Sequence, residues 1–458
     1  MTAISEPSIP ERTAGLPAAE RRAVLPAGFR AGGMKAGIKA SGRPDLAVVL
    51  TTSGPAAAAA VYTPNTFAAA PVRLSKAHLA ATGGDPRGGF GWAEAIVSTS
   101  GSANAATGSE GDADQLEIAR LLSVTAGVAP ERTLHLSTGV IGTRLPLAKV
   151  QAGLTALVPA ASETDAGWAA AAEALRTTDS VTKASTTTVA LPGPDGMPVE
   201  VRVSGIAKGV GMIHPRMATM LSIVLTDATI EPATLWGLLR PAAARTWDQL
   251  SVDGDTSTND TVFVLASGAA GTAVVESGTP AAATLGAAIE AVARDLARQQ
   301  AADGEGAATL ITASVGGAGD DAEARAIARS VISSSLVKAA AHGRDPNWGR
   351  IAGAAGNARL ADAAVLEAAG LSSEEAVARA GTPARLDPDR LRITIAGHLV
   401  FDGARGGPVP FDRAAARAAM SAPEVVLGLD LGLGDGTGEA FGCDLTEAYV
   451  IENSEYTT

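Results

Sequence analysis

The apolar positions fall into short blocks whose period changes along the chain. Residues 45–50 (DLAVVL) and 59–62 read as strands, and Ser53-Gly54-Pro55 breaks the run between them as a turn. Residues 95–98 form a short strand that runs into a Gly/Ser/Asn loop at 99–104. Within 112–125, Leu116, Ala119 and Leu122 recur at helical spacing, with acidic residues in the first turn, where they complement the helix dipole. Residues 134–137 are a strand entering Thr138-Gly139, and helices are expected over 147–158 and 165–176. Residues 199–206 alternate as a strand, and the mostly apolar run 221–225 is a buried one. Pro232 in the first turn marks a helix over 231–245, a strand follows at 261–266, and Thr279 with Pro280 caps and starts a long helix over 280–301. Further strands are predicted at 309–315, 391–395 and 425–429, a helix at 321–333, and residues 443–450 (CDLTEAYV) close the ordered chain. Residues 1–24 read as a flexible tail, with order beginning at Pro26, and Pro192–Gly196 as a hairpin turn or surface insertion.

Strands and helices are mixed throughout, with neither a regular βαβ alternation nor an internal repeat of fixed period. The pattern predicts an α+β fold, a layered sandwich with sheets packed between helices. A chain of 458 residues holds one large core or two to three ordinary ones.

Composition narrows the function classes. The formal charge is −12, from 36 Lys and Arg against 48 Asp and Glu, with no basic run, which argues against nucleic acid as a partner. Cys443 is the one cysteine, so no internal disulfide is available and the chain does not read as a secreted, cross-linked scaffold. The N-terminus lacks the basic segment and apolar stretch of a signal peptide. No uncharged apolar stretch is long enough to span a bilayer, and a cytoplasmic protein is expected.

Candidate chemistry centres on residues 208–221, KGVGMIHPRMATML. Glycines and a proline precede a threonine that opens a buried strand. If the bond between Ala218 and Thr219 is cut, Thr219 becomes an N-terminus whose hydroxyl is a nucleophile and whose own α-amine serves as base. Such an amine titrates near ~7.7–8.0, so a useful fraction is neutral at neutral pH. The Ser137–Gly142 segment, STGVIG, pairs a hydroxyl on Thr138 with Gly139, two donors suited to a developing oxyanion; read plainly it is a strand followed by a glycine turn. Lys208 suits a substrate carboxylate, and Glu305, set between Gly304 and Gly306, suits a substrate ammonium.

Other segments carry less. Residues 253–261 look at a glance like a calcium loop, but the glutamate of such loops is missing, and a turn braced by Asx and Ser/Thr hydrogen bonds is expected. The five histidines (His78, His135, His214, His342, His398) have no metal-ligand spacing, and no metal is expected. The Gly-rich residues 431–438 lack the lysine and hydroxyl of a phosphate loop.

From about Pro26 to Thr458 the chain resembles the glutamate N-acetyltransferase / ornithine acetyltransferase family of arginine biosynthesis. The resemblance is carried by STGVIG, Thr177-Thr178-Asp179, KGVGMIHPRMATML, VDGDTSTNDTV at 252–262, CDLTEAYV and the ENSEYTT end. It implies a self-processing acyltransferase with the α+β sandwich of N-terminal-nucleophile-like enzymes, cut between Ala218 and Thr219 into an α chain (25–218, after the tail) and a β chain (219–458). It implies acetyl transfer from N2-acetyl-L-ornithine to L-glutamate through acetyl-Thr219, with no cofactor, and it leaves open acetyl-CoA as a further donor. Thr138 and Gly139 are implied as the oxyanion hole, and Thr177, Lys208, Thr219, Glu305, Asn453 and Thr458 as substrate-binding positions. Pairs of αβ units are implied to form a heterotetramer. The chain departs from the family at Thr99, Ser102 and Ala106, in the 99–106 segment, and at Ala308-Thr309, where the family tends to have Thr-Lys.

The residues alone also fit an amidohydrolase or aminopeptidase, with water as acceptor, or a binding protein that never matures. Denaturing electrophoresis separates the last of these from the rest. Wild-type chain is expected to run as two fragments, the second beginning Thr-Met-Leu-Ser, and Thr219→Ala as one band of full length; an uncut wild type refutes the processing.

Overall fold

The computed structural model describes residues 15–214 and 220–454. Among them, two sheets lie face to face at the centre. One has four strands in the order Phe29–Met34, Leu46–Thr51, Ala95–Ser102 and Thr133–Val140. The other has six, in the order Phe90–Ala93, Ala56–Tyr62, Thr261–Ala266, Leu221–Thr226, Pro198–Lys208 and Lys183–Pro192. Phe29, Val49, Ile96 and Leu134 of the first sheet meet Ile206, Ile223, Leu225 and Phe263 of the second in one buried cluster. On the outer face of the four-stranded sheet, Val48 and Val97 pack against Ile118 and Leu122 of helix Gly108–Ala126 and Val150 and Leu154 of helix Leu147–Ala160. On the outer face of the six-stranded sheet, Val203, Val224 and Val264 pack against helices Pro232–Arg245 and Pro280–Ala302. The layers therefore run helix, sheet, sheet, helix, as the sequence predicts.

The strand Ala56–Tyr62 begins with five alanines, a composition that by propensity alone favours helix. Tertiary packing overrides it. Ala56, Ala58 and Ala60 face one core and Ala57 and Ala59 the other, none more than 2 % exposed. The period-two burial of small side chains lets layers on both sides approach closely.

A third sheet of seven strands runs Leu250–Ser251, Gly436–Cys443, Leu310–Ala318, Glu424–Asp430, Arg392–Ile395, His398–Asp402 and Gly407–Pro408. It forms its own core with Ile327 and Val331 of helix Asp321–Ser333. The Gly-rich 431–438 segment ends in one of these strands. A Cβ on Gly436 would stand 2.2 Å from the Asp320 carbonyl carbon and one on Gly438 2.6 Å from the Arg325 nitrogen, so these glycines serve close packing under that helix.

Most predicted elements are present with ends shifted by a few residues, and Thr261–Ala266 and Asp321–Ser333 are present without shift. Thr279 caps its helix by accepting the Ala282 N–H, and 193–196 is the turn of the hairpin joining Lys183–Pro192 to Pro198–Lys208. Within the expected tail, order begins before Pro26. Glu20 exchanges backbone hydrogen bonds with Thr186, and Ala18 accepts from the Thr187 hydroxyl.

His135 ties the four-stranded sheet to its helix layer. It is fully buried; the Gln115 amide donates to its Nδ1 at 3.0 Å, and Thr133, which donates its own proton to the Pro130 carbonyl, sits 2.9 Å from its Nε2. Asn104 donates to the Gln115 carbonyl oxygen and so sets that amide's orientation. Nδ1 thus faces a donor, and burial, with His78 nearby, depresses the pKa well below 6.5. The unfolded chain takes up a proton near 6.5 that the fold refuses, so stability falls as pH drops from that value towards the folded pKa. The expected slope from this group is up to about 1.4 kcal/mol per pH unit. Thermal melts of wild type between pH 7.5 and 5 are expected to fall more steeply than those of His135→Gln; parallel curves refute the assignment.

Candidate active site

The site is built where the two central sheets end. Strands Ala95–Ser102 and Thr133–Val140 run parallel, with Gly101 opposite Gly139. Gly139 has φ +133, and a Cβ there would lie 2.3 Å from the Gly101 carbonyl carbon, so only glycine fits. Asn259 holds this edge in place, its amide donating to the carbonyls of Ala103 at 2.7 Å and Ser137 at 2.8 Å. The Thr258 hydroxyl donates to the Asn259 oxygen at 2.6 Å and fixes which way the amide faces. The Thr138 hydroxyl accepts from the Lys208 ammonium at 3.1 Å, which leaves its own proton free to donate.

Lys208 ends the strand Pro198–Lys208 and is 3 % exposed. Burial lowers its pKa; Asp179, Glu305 and Asp260 draw it back up, and Lys183 opposes them. The Asp179 carboxylate organises this corner. It accepts from Lys183 Nζ at 2.7 Å, from the Gly209 N–H at 2.8 Å and from the Thr177 N–H at 3.1 Å. Burial alone would raise its pKa, but the Lys183 and Lys208 charges and these hydrogen bonds outweigh burial and hold it at about 2. Lys183, with no exposed surface on its side chain, also pairs with Asp303.

Glu305 lies in the loop between helix Pro280–Ala302 and strand Leu310–Ala318. Its N–H donates to the Val210 carbonyl, and its carboxylate accepts from the Thr178 hydroxyl at 2.9 Å and the Asn453 amide at 3.0 Å. A Cβ on Gly211 would come 2.2 Å from the carboxylate, so the absent side chain leaves room for the position Glu305 takes here. Asn453 arrives on helix Glu447–Ser454, which brings the end of the described chain to the site.

These groups converge on one cavity of about 280 Å³, which Thr138, Gly139, Thr177, Lys208, Glu305 and Asn453 all line. The sequence-predicted positions among the described residues therefore come together. Ala218, Thr219 and Thr458 lie outside the described residues. The segments on either side of 215–219 are both held by the 252–261 loop. Asp253 accepts the N–H groups of Met212 and Ile213, the Val252 N–H donates to the Ile213 carbonyl, and Asp260 accepts the Met220 N–H at 3.1 Å. The loop thus braces the site through long-range carboxylate contacts, and within it Asp253 accepts the Asp255 N–H and the Ser257 hydroxyl the Asn259 N–H, the local turns its composition predicts.

Sequence reasoning missed Asp179, Lys183 and Asp303 as an ion group and Asn259 as a brace. The TTD and NDT triplets were visible, but nothing local tells that Asp179 reaches residues 183 and 209 while Lys183 reaches 303. At the Ala308-Thr309 departure, both backbone N–H groups donate to Asp444 at 2.8 and 2.9 Å. The loop expected over 99–104 is strand as far as Ser102, paired with Thr133–Val140; beyond it Asn104 and Ala106 adopt positive φ, and Ala103 reaches the cavity wall.

Removing one member of a buried ion group leaves an uncompensated charge. Lys183→Met is therefore expected to cost about 3–5 kcal/mol in chemical denaturation. A loss near the level of an exposed pair, under about 1 kcal/mol, refutes the role of this cluster.

The ArgJ family profile matches residues 30–458. The arginine biosynthesis bifunctional protein ArgJ of Synechocystis sp. is 41% identical over 428 residues, which cover 91% of this chain and 93% of that protein. The protein of the same name from Gloeobacter violaceus is 43% identical over 421 residues, with the same coverage. A crystal structure of arginine biosynthesis bifunctional protein ArgJ from Bacillus halodurans aligns at a TM-score of 0.45 and 37% identity, covering 52% of this chain and 99% of that one. With a family match across nearly its whole length and relatives at this identity, the chain belongs to the ArgJ family.

Proposed function

We propose that this ArgJ-family acetyltransferase of arginine biosynthesis moves the acetyl group from N2-acetyl-L-ornithine to L-glutamate through an acetyl ester on Thr219. The observation that carries the reading is the convergence of Thr138, Gly139, Lys208 and Glu305 on one cavity, beside the strand that Leu221 opens. Self-cleavage comes first. The Thr219 hydroxyl attacks the Ala218 carbonyl, the acyl group shifts from nitrogen to oxygen, and water hydrolyses the ester to a carboxylate on Ala218 and a free amine on Thr219.

In transfer, Lys208 binds the α-carboxylate of acetylornithine and Glu305 its side-chain ammonium. The Thr219 amine takes the hydroxyl proton as the oxygen attacks the acetyl carbonyl, and the Gly139 N–H and Thr138 hydroxyl stabilise the oxyanion. The C–N bond breaks, the proton passes to the departing α-amine, and ornithine leaves. The neutral α-amine of glutamate then attacks the ester, its carboxylate on Lys208, and the Thr219 oxygen departs with a proton. The Thr178 hydroxyl and Asn453 amide, now on Glu305, are the donors able to turn to the glutamate side chain. Thr177 and Thr458 complete the substrate-binding positions. No step calls for a cofactor.

Two strands of the 219–458 half lie between strands of the first half in the six-stranded sheet, which supports halves that stay together after cleavage. No helix among the described residues is long and apolar enough to cross a membrane; the reading puts the enzyme in the cytoplasm, as a heterotetramer of two α and two β chains. Family membership favours acetyl transfer over the amidohydrolase and aminopeptidase alternative.

Incubation with acetylornithine is expected to add one acetyl group to the fragment that starts at Thr219, seen by intact mass, and glutamate to discharge it as acetylglutamate. Free acetate as the main product overturns the transfer. Glu305→Gln is expected to lower kcat/KM for acetylornithine about 100-fold, the scale of a lost charged contact of about 2.7 kcal/mol; an unchanged value removes Glu305 from ammonium binding.

A further inference from the structure

The cavity runs from a buried floor to an open mouth. Lys208 stands at the floor, 3 % exposed, while Thr178 and Asn453, the partners of Glu305, are both exposed. Two large apolar side chains, Ile141 and Met212, share the lining and remain 42 % and 39 % exposed. None of the steps above uses them. Ile141 lies just beyond Thr138 and Gly139, in a turn held by two hydrogen bonds. The Gly142 N–H donates to the Ala105 carbonyl at 2.9 Å, and the Thr143 hydroxyl donates to the Val140 carbonyl at 2.9 Å. Met212 follows Gly211, the glycine that faces the Glu305 carboxylate.

Met212 has φ +53, the left-handed region that such a side chain enters only at a cost. Neighbouring groups hold it there. Asp253 accepts the N–H groups of Met212 and Ile213, and the Val252 N–H donates to the Ile213 carbonyl at 2.7 Å. Strain maintained in this way at a cavity points to a use for the side chain it places. That use follows from what the polar groups would bind. A substrate with its carboxylate on Lys208 and its ammonium on Glu305 carries an unbranched run of methylenes between them. Methylenes leave water favourably against apolar surface, not against polar groups that need partners. Among the described residues, Ile141 and Met212 are the exposed large apolar side chains on this wall. We infer that Ile141 and Met212 form the subsite for the methylene stem of the substrate, and that the enzyme selects an unbranched, amine-ended side chain by its stem as well as by its charge. The inference rests on the acetylornithine reading given above.

The test is inhibition of acetyl transfer by three amino acids: ornithine; norvaline, which keeps the stem and lacks the terminal ammonium; and alanine, which lacks both. In the wild type, norvaline is expected to inhibit at lower concentration than alanine, and equal inhibition overturns the inference without any variant. Met212→Ala is expected to raise the inhibition constants of ornithine and of norvaline each about 10-fold, the scale of lost methylene contacts, and that of alanine by less than about twofold. An unmoved norvaline constant overturns the inference. An equal loss for alanine overturns it too, because Met212 would then shape the whole site and not the stem subsite. If Met212→Ala does not fold or is not cut, Ile141→Ala, distant in sequence from the 215–219 segment, carries the test with the same expected pattern. Failure of the underlying reading looks different: the wild type itself is uncut or takes up no acetyl group from acetylornithine.

Discussion

The site depends on one buried ion group. The Asp179 carboxylate joins the lysine that begins strand Lys183–Pro192, the backbone beyond Lys208 and the backbone at Thr177, while Lys183 reaches across to Asp303 in the other half of the molecule. Burying such charges is unfavourable unless every one is answered. Here the answering groups come from three separate segments, so they satisfy one another only when all three are in place. Two of the proposed substrate-binding positions follow from it. Lys208 is brought to Thr138, and Glu305, two residues beyond Asp303, is brought to Gly211 and Thr178.

A second constraint is steric. Gly139 and Gly101 stand opposite each other at the ends of parallel strands, and Gly211 lies against Glu305. At Gly139 and Gly211 the backbone itself forms the wall of the site. Charged groups and backbone then surround a small space, and the Asn259 amide ties the wall to the loop that flanks the 215–219 segment. Preorganisation of this kind is what stabilises a transient oxyanion, because nothing has to reorient as charge develops.

Much of this was legible in the sequence, and what was not has a physical cause. Blocks with a clear period, such as 261–266 and 321–333, were readable because burial on one face imposes the period locally. The Ala56–Tyr62 strand was found only in its second part, since alanines become a strand here through packing on both faces. The 436–443 strand was not assigned because its glycines answer a helix more than a hundred residues away. Thr138, Gly139, Thr177, Lys208, Glu305 and Asn453 were named from motifs and converge as a motif-based reading requires. Asp179, Lys183, Asp303 and Asn259 were not, because their value lies in partners distant in sequence.

The interleaving of the six-stranded sheet has a consequence for how the molecule is made. Strands Leu221–Thr226 and Thr261–Ala266 sit between strands from the first half, and the 209–220 connection is the short covalent link that delivers one to the other. While that link is intact, closing the sheet is an intramolecular event with a modest loop entropy. If it is severed as proposed, the same contacts must be found between two separate polypeptides. The finished molecule would then hold its shape through kinetic persistence, and material unfolded after maturation would reassemble at a rate set by its concentration.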